Sequence, residues 1–280
     1  MLYQDICLVF YRKRLERRLK KKYGGDRALT LIMNGRDVGF FSMFFQVIGA
    51  VHFCKKYKHS LEVDFVGGPY FEEAFGKNWW EYYFSRKRFD FSGGGIRHDR
   101  VLNEWEQKDF SYYGRALSSS VGNALVDVVD IQDAVIDKVN DFKNKNMDGG
   151  PVVGIHYRGT DKVNGKGKES DRVPYEDVFD YLEKDNGCLF FVATDEQAFL
   201  DRMESVFTDR VISYNALRSN SSASIHRGGI SGVSKYKAGE DALIDCLLLA
   251  SCTKLVRTDS NLSYACRFFN PRQKCIIMGK

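Results

Sequence analysis

The sequence predicts an α/β protein built from two parallel-sheet units in tandem, with a cleft between them. Three observations predict it. Short apolar runs alternate with helical patterns along most of the 280 residues. That length suits two domains of ordinary size. A polar, Gly/Pro-punctuated segment, "KNKNMDGGP" (143–151), divides the chain near its middle.

Taken in order, the chain opens on "MLYQDICLVFY", apolar but short and interrupted by Asp5. "RKRLERRLKKK" (12–22) follows with eight bases and one acid, so +7; with a total of +5, the remainder sums to −2. Residues 1–27 therefore read as a basic arm on a near-neutral body. The reading is a helix packed through Leu15 and Leu19, with peripheral contact to an anionic membrane as the alternative use of its charge. Charge confined to one arm does not support general nucleic-acid binding. The charges follow the apolar run instead of preceding it, unlike a signal peptide, and no run approaches the ~20 apolar residues of a membrane span. A cytoplasmic protein, at most peripheral to a membrane, is expected. Seven cysteines without a CxxC pair, mostly in apolar segments, fit buried thiols.

Residues 28–148 read as the first α/β domain. "ALTLIMN" (28–34) is a strand and "GFFSMFFQVIGAVHFCKKY" (39–57) a helix entered from a glycine turn. "LEVDFV" (61–66) is the next strand, and "DAVIDKVNDF" (133–142) has helical spacing. The aromatics Trp79, Trp80, Tyr82, Tyr83 and Trp105 fall in this half. They are either core or sugar-stacking faces.

Residues 149–280 read as the second. Strands are expected at 152–158, 188–194, 210–214 and 254–258. Helices are expected at 175–184, 195–206, 239–251 and 261–269, with a Ser/Gly-rich loop running to about 238. Open parallel sheets bind ligands at the carboxyl ends of their strands. Here those ends carry His156 and Arg158, then Thr194 and Asp195, then Thr258, Asp259, Ser260 and Asn261. Asp245 lies in an apolar helix. An arginine, small hydroxyls and helix N-termini suit a phosphate or pyrophosphate, and an acid at a strand end suits a sugar hydroxyl. Alone, each has a plain structural use as a salt bridge or helix cap. Together on three strand ends they mark a site. P-loop, GxGxxG and GxSxG patterns are absent, as is D-x-D, so a donor diphosphate would be held by protein cations.

"GIHYRGTDKV" resembles the first motif of the fucosyltransferases of the α1,6 and nodulation type. "FVATDE" resembles their second motif and "GEDALIDCLLLASCTKLVRTDSNLSYACRFFNP" their third. "GFFSMFFQVIGAV" and "NWWEYYF" are similar to the N-terminal half of bacterial and viral relatives, and the likeness spans most of 30–271. The resemblance implies a GT-B-like pair of Rossmann-like domains facing a central cleft. It also implies an inverting, metal-independent transfer of one sugar, with no cofactor. The first domain would take a glycan or glycoprotein acceptor, the second the nucleotide sugar.

By the same resemblance Arg158 grips the pyrophosphate, Asp195 and Asp245 the nucleoside, and Ser260 and Asn261 the phosphates. His156, Gly159, Lys162, Thr194, Thr258, Gly39 and Phe40 complete the donor site. Glu169 is the first candidate base and Asp37, in "NGRDVGFF", the second. One departure stands out: where the α1,6 and nodulation enzymes carry a second consecutive arginine, this chain has Gly159. That loses a diphosphate contact and reshapes the pocket. The chain is also similar to short glycosyltransferases of large algal viruses, so UDP-xylose stands beside GDP-fucose as donor. A protein of the same fold that binds sugar or nucleotide without turnover is the alternative function.

Overall fold

The computed structural model describes residues 3–33, 38–94, 99–118, 125, 129–159, 172–185, 187–219 and 234–279, with side chains from residue 10 onward. Glu169, Asp37 and Lys162 lie outside the described residues. The chain divides into two compact units, Met1–Gln132 and Asp133–Lys280.

In the first unit, β1 (Ala28–Ile32) pairs in parallel with β2 (Ser60–Asp64) and with β4 (Arg100–Leu102), and β3 (Arg88–Asp90) runs antiparallel at the edge. The order is β3-β2-β1-β4. Among the described residues its α-helices are α1 (Tyr3–Tyr23), α2 (Phe40–Tyr57) and α3 (Lys108–Leu117). The basic arm is α1, packed on the unit: Leu15, Leu19 and Tyr23 are buried, and the Tyr23 hydroxyl donates to Glu106 O at 2.9 Å. Spacing by four, three and four puts Phe10, Arg14, Arg17 and Lys21 on the opposite, exposed face.

Helices α2 and α3 touch backbone to backbone. A Cβ on Gly49 would lie 2.2 Å from Phe110 O, and one on Gly114 2.1 Å from Phe45 O, so only glycine permits this approach. Trp79, Trp80, Tyr83 and Phe84 are core, with Trp80 stacked on Phe84 at 4.1 Å.

The second unit holds an all-parallel sheet in the order β7-β6-β5-β8-β9. Its strands are β5 (Val152–Tyr157), β6 (Leu189–Thr194), β7 (Val211–Ile212), β8 (Lys254–Arg257) and β9 (Lys274–Ile277). Its helices are α4 (Asp133–Asn146), α5 (Tyr175–Leu182), α6 (Gln197–Phe207), α7 (Lys235–Ser251) and α8 (Asn261–Phe269). Of the segment 143–151, read as the divide between domains, residues 143–146 end α4 and the rest leads to β5, inside this unit. Val153, Ile155 and Tyr157 face a core shared with Phe179, Phe199 and Met203 of α5 and α6. On the other face a Cβ at Gly154 would meet Cys252 Sγ and Leu249 Cδ2 at 3.1 Å, so α7 lies close over the sheet there. Among the described residues no helix is long and apolar enough to cross a membrane.

Candidate functional site

Strand order reverses at β5: β6 lies on one side of it and β8 on the other. Parallel strands that depart from β5 in both directions leave a crevice at their carboxyl ends. The polar residues gather there.

His156 pairs in register with Ala193 of β6 and Arg257 of β8. Its Nδ1 meets Ala193 O at 3.1 Å, and a carbonyl only accepts, so Nδ1 carries the proton. Nε2 is then an acceptor for the Ser260 hydroxyl at 2.7 Å. Burial drives the His156 pKa down, to about 4, which keeps the ring neutral. Sequence position offered His156 to the donor. Its geometry instead ties two strands to the start of α8, with both nitrogens used inside the protein.

Ser260 is the N-cap of α8. Its Oγ accepts from Ser263 N at 3.1 Å, and Ser263 Oγ accepts from Ser260 N at 3.3 Å, a reciprocal capping box. Beneath it Arg257, 1% exposed, donates to Ser263 Oγ at 2.9 Å and lies over the Tyr264 ring. This buried guanidinium, with Nη1 3.7 Å from Asp259 Oδ1, lies below the start of α8, where Asn261 begins the first turn.

Past β5 the chain is clamped from both sides. Arg158 N donates to Thr258 Oγ1 at 2.9 Å, and Gly159 N donates to Asp195 Oδ1 at 3.1 Å. Arg158 Nε lies 3.0 Å from Asp195 Oδ2, and the arginine side chain is 23% exposed. Asp195 thus orients the guanidinium. Thr194 Oγ1 accepts from Glu196 N at 3.1 Å, which makes Thr194 a turn residue, buried like Thr258.

Glu196 and Arg172 join this group, though neither was among the residues expected at the site. Glu196 Oε1 accepts from Arg172 Nη2 at 2.7 Å, while its Oε2 is buried without a hydrogen-bond partner among the described residues. A Cβ at Gly159 would lie 1.7 Å from that Oε2. The room that a longer side chain at 159 would need is filled by a carboxylate. Glu196 was visible as the last residue of "FVATDE"; Arg172, thirteen positions after Gly159, had no local signal.

Segment 216–219 runs beside Asp195, with Ser219 N donating to Asp195 O at 3.0 Å and Gln197 N to Ser219 O at 3.1 Å. It leads to a second polar group on α7. Asp241 accepts from Leu217 N at 3.1 Å and from Lys237 Nζ at 2.7 Å. Asp245, one turn on, is buried, and burial raises its pKa to about 8 against the pull of Arg218. Its Oδ1 has no hydrogen-bond partner among the described residues.

In the first unit Gly39 is the N-cap of α2, with its carbonyl accepting from Ser42 N at 2.9 Å. Phe40 is buried against Tyr70 and Trp79, and its N–H donates to Tyr70 Oη at 2.7 Å. Its ring is therefore core, whereas sequence position had offered it to the donor.

No protein-family model and no curated protein matches the sequence. Solved structures do. The NodZ α1,6-fucosyltransferase co-crystallised with GDP is 13% identical, with 84% of this chain and 91% of that one covered and a TM-score of 0.52. The same enzyme from Bradyrhizobium gives the same figures. POFUT1 in complex with GDP is 10% identical over 91% of this chain and 99% of that one, with a TM-score of 0.51. A mutant of Arabidopsis thaliana FUT1 in complex with GDP is 10% identical over 99% and 79%, with a TM-score of 0.50. The likeness is one of fold: two Rossmann-like α/β units with parallel-rich sheets, as in these GT-B fucosyltransferases.

Proposed function

We propose that the chain is a glycosyltransferase that moves a single sugar, fucose or xylose, from a nucleotide diphosphate to a glycan acceptor. The observation that carries this reading is the strand-end group of Arg158, Gly159 N–H, Thr258 and Ser260, set where β5 and β8 diverge. A guanidinium oriented by one carboxylate, beside a capped helix start, suits two oxygens of a diphosphate. As the sugar departs, negative charge grows on those oxygens, and Arg158 meets it in the transition state. Asp195 and Asp245 hold the nucleoside in this reading. The transfer is inverting and metal-independent, and a carboxylate, Glu169 or Asp37, takes the acceptor proton. Neighbours of the same fold named as GDP complexes support the donor class.

A thermal-shift screen with GDP-fucose, UDP-xylose, UDP-glucose and GDP-mannose tests it. One donor should raise the melting temperature, since a ligand that binds only the native state stabilises it. That donor, radiolabelled, should yield glycosylated product. Binding without turnover would make the chain a nucleotide-sugar-binding protein. No shift with any of the four would remove the donor assignment.

A further inference from the structure

Asp195 and Glu196 are consecutive acids just past the carboxyl end of β6, and each orients a guanidinium. Asp195 Oδ2 lies 3.0 Å from Arg158 Nε, and Glu196 Oε1 accepts from Arg172 Nη2 at 2.7 Å. Gly159 sits between the two pairs. Its N–H donates to Asp195 Oδ1, and a Cβ on it would lie 1.7 Å from Glu196 Oε2. Residue 159 thus touches both acids and puts no side chain between the guanidiniums.

Arg172 is also held from behind. Tyr157, the last residue of β5, donates from Oη to Val173 O at 2.6 Å, which ties the residue after Arg172 to the strand end. Arg172 Nη2 donates to Tyr175 Oη at 3.2 Å, and its Cζ lies 5.6 Å from that ring's centroid. The Tyr175 ring packs edge-on against Tyr157 and Phe199. Yet the arginine side chain is 43% exposed. Stability does not account for this arrangement. An ion pair with so exposed a partner adds little. Glu196 Oε2, moreover, is buried without a hydrogen-bond partner among the described residues, which is costly for a carboxylate.

We propose that Arg172 is the second cation of the donor crevice, meeting the diphosphate beside Gly159, with Glu196 as its positioning residue. This rests on reading the crevice as the nucleotide-sugar site. A sugar diphosphate carries more than one negative charge, and Arg158 is already countered in part by Asp195. A second planar guanidinium, fixed before the ligand arrives, adds charge and direction at little ordering cost.

Melting-temperature titrations of the whole chain with GDP, UDP and inorganic pyrophosphate test it, each variant read against its own ligand-free value. One nucleoside diphosphate should bind the wild type. Arg172→Ala should weaken it roughly 10–100-fold, the size of one charge-assisted hydrogen bond, and weaken pyrophosphate alongside. Arg172→Lys, which keeps the charge, should recover part of the loss; Arg172→Gln, which keeps only a donor toward Glu196, should recover none. If Arg172→Ala does not fold, the Lys and Gln variants decide between them. Diphosphate affinity unchanged in Arg172→Ala overturns the assignment and leaves the donor reading standing. Equal rescue by Gln and Lys also overturns it, since Arg172 would then be a structural tie. A wild type that binds neither GDP nor UDP removes the donor reading itself, and Arg172's role with it.

Discussion

Arg158→Ala tests the donor site most directly. The guanidinium does two things at once: it faces the crevice, 23% exposed, and it lies 3.0 Å from a carboxylate that is 12% exposed. Its loss should therefore appear in both stability and turnover, with separable sizes. An exposed pair is worth about 0–1 kcal/mol and breaking a buried one about 3–5. This pair sits between them, at about 2 kcal/mol, because Asp195 keeps its bond from Gly159 N. For a unit of this size that is a fall of roughly 4–8 °C in melting temperature. Turnover should fall by a further ~10²–10³, or about 2.7–4 kcal/mol, as for loss of one charge-stabilising donor. Asp195→Asn separates the two, since the amide oxygen still accepts from Gly159 while the charge is gone. It should match the stability loss and leave more activity than Arg158→Ala. Steady-state kinetics per folded molecule, with unfolding curves on the same preparations, is the assay. Arg158→Ala that melts early but turns over normally would make the arginine a structural ion-pair residue and refute the diphosphate role.

Other outcomes follow from the same geometry. His156 is held below its ordinary value of 6.5, so its share of stability is complete above that pH and drains as pH falls toward 4, by up to about 3 kcal/mol. Urea midpoints against pH should lose this acid-side slope in His156→Gln. Asp245 has the opposite sign: its share is full below its unfolded value and is lost as pH rises from there to about 8, so Asp245→Asn should flatten the fall between those two pH values. With no D-x-D in the sequence, transfer should survive EDTA; activity abolished by chelator and restored by manganese would sink the metal-free route. Glu169→Gln should lower kcat by ~10²–10⁴ with donor binding kept; wild-type turnover there, with loss in Asp37→Asn, moves the base to the first unit. The outward stripe of α1 should sediment the protein with phosphatidylserine vesicles in low salt, and Arg14→Glu with Arg17→Glu should abolish this; equal sedimentation of the variant would exclude the stripe.

The strand-end group was legible because its residues sit in short runs after apolar strands, and the rule for parallel sheets needs only that order. His156, Arg158, Asp195, Thr258 and Ser260 do come together. The roles of His156 and Phe40 were not legible, because burial and partner choice depend on other segments: Ala193 and Ser260 for the histidine, Tyr70 and Trp79 for the phenylalanine. Strand β7 was read as 210–214 yet pairs only at Val211 and Ile212. Helix α7 starts at Lys235, before the glycine read as its beginning, because Ser234 Oγ accepts from Lys237 N at 3.2 Å and Gly239 is carried inside. Strands β3 and β4 have three residues each and carry Arg88, Asp90 and Arg100, too short and too charged for an alternating pattern. Helix α3 escaped notice because its buried face includes Asp109 and Gly114.

The carboxylate against Gly159 constrains how this site can change. A Cβ at 159 would lie 1.7 Å from Glu196 Oε2 and 2.9 Å from Tyr157 Cε1, so the carboxylate that accepts from Arg172 would have to move. A variant library that randomised 159 alone would score glycine as obligatory and hide the cause. Randomised in a Glu196→Gly background, the same position should accept alanine only as far as the buried Tyr157 ring, whose Cε1 would lie 2.9 Å from the new Cβ, can give way. The order of steps matters for inheritance as well. A lineage moving from glycine to arginine at 159 meets the carboxylate of residue 196 unless that residue has shortened first. Positions 159 and 196 should therefore change as a pair among descendants of this chain, while Arg172 keeps its bond to Tyr175 Oη at 3.2 Å.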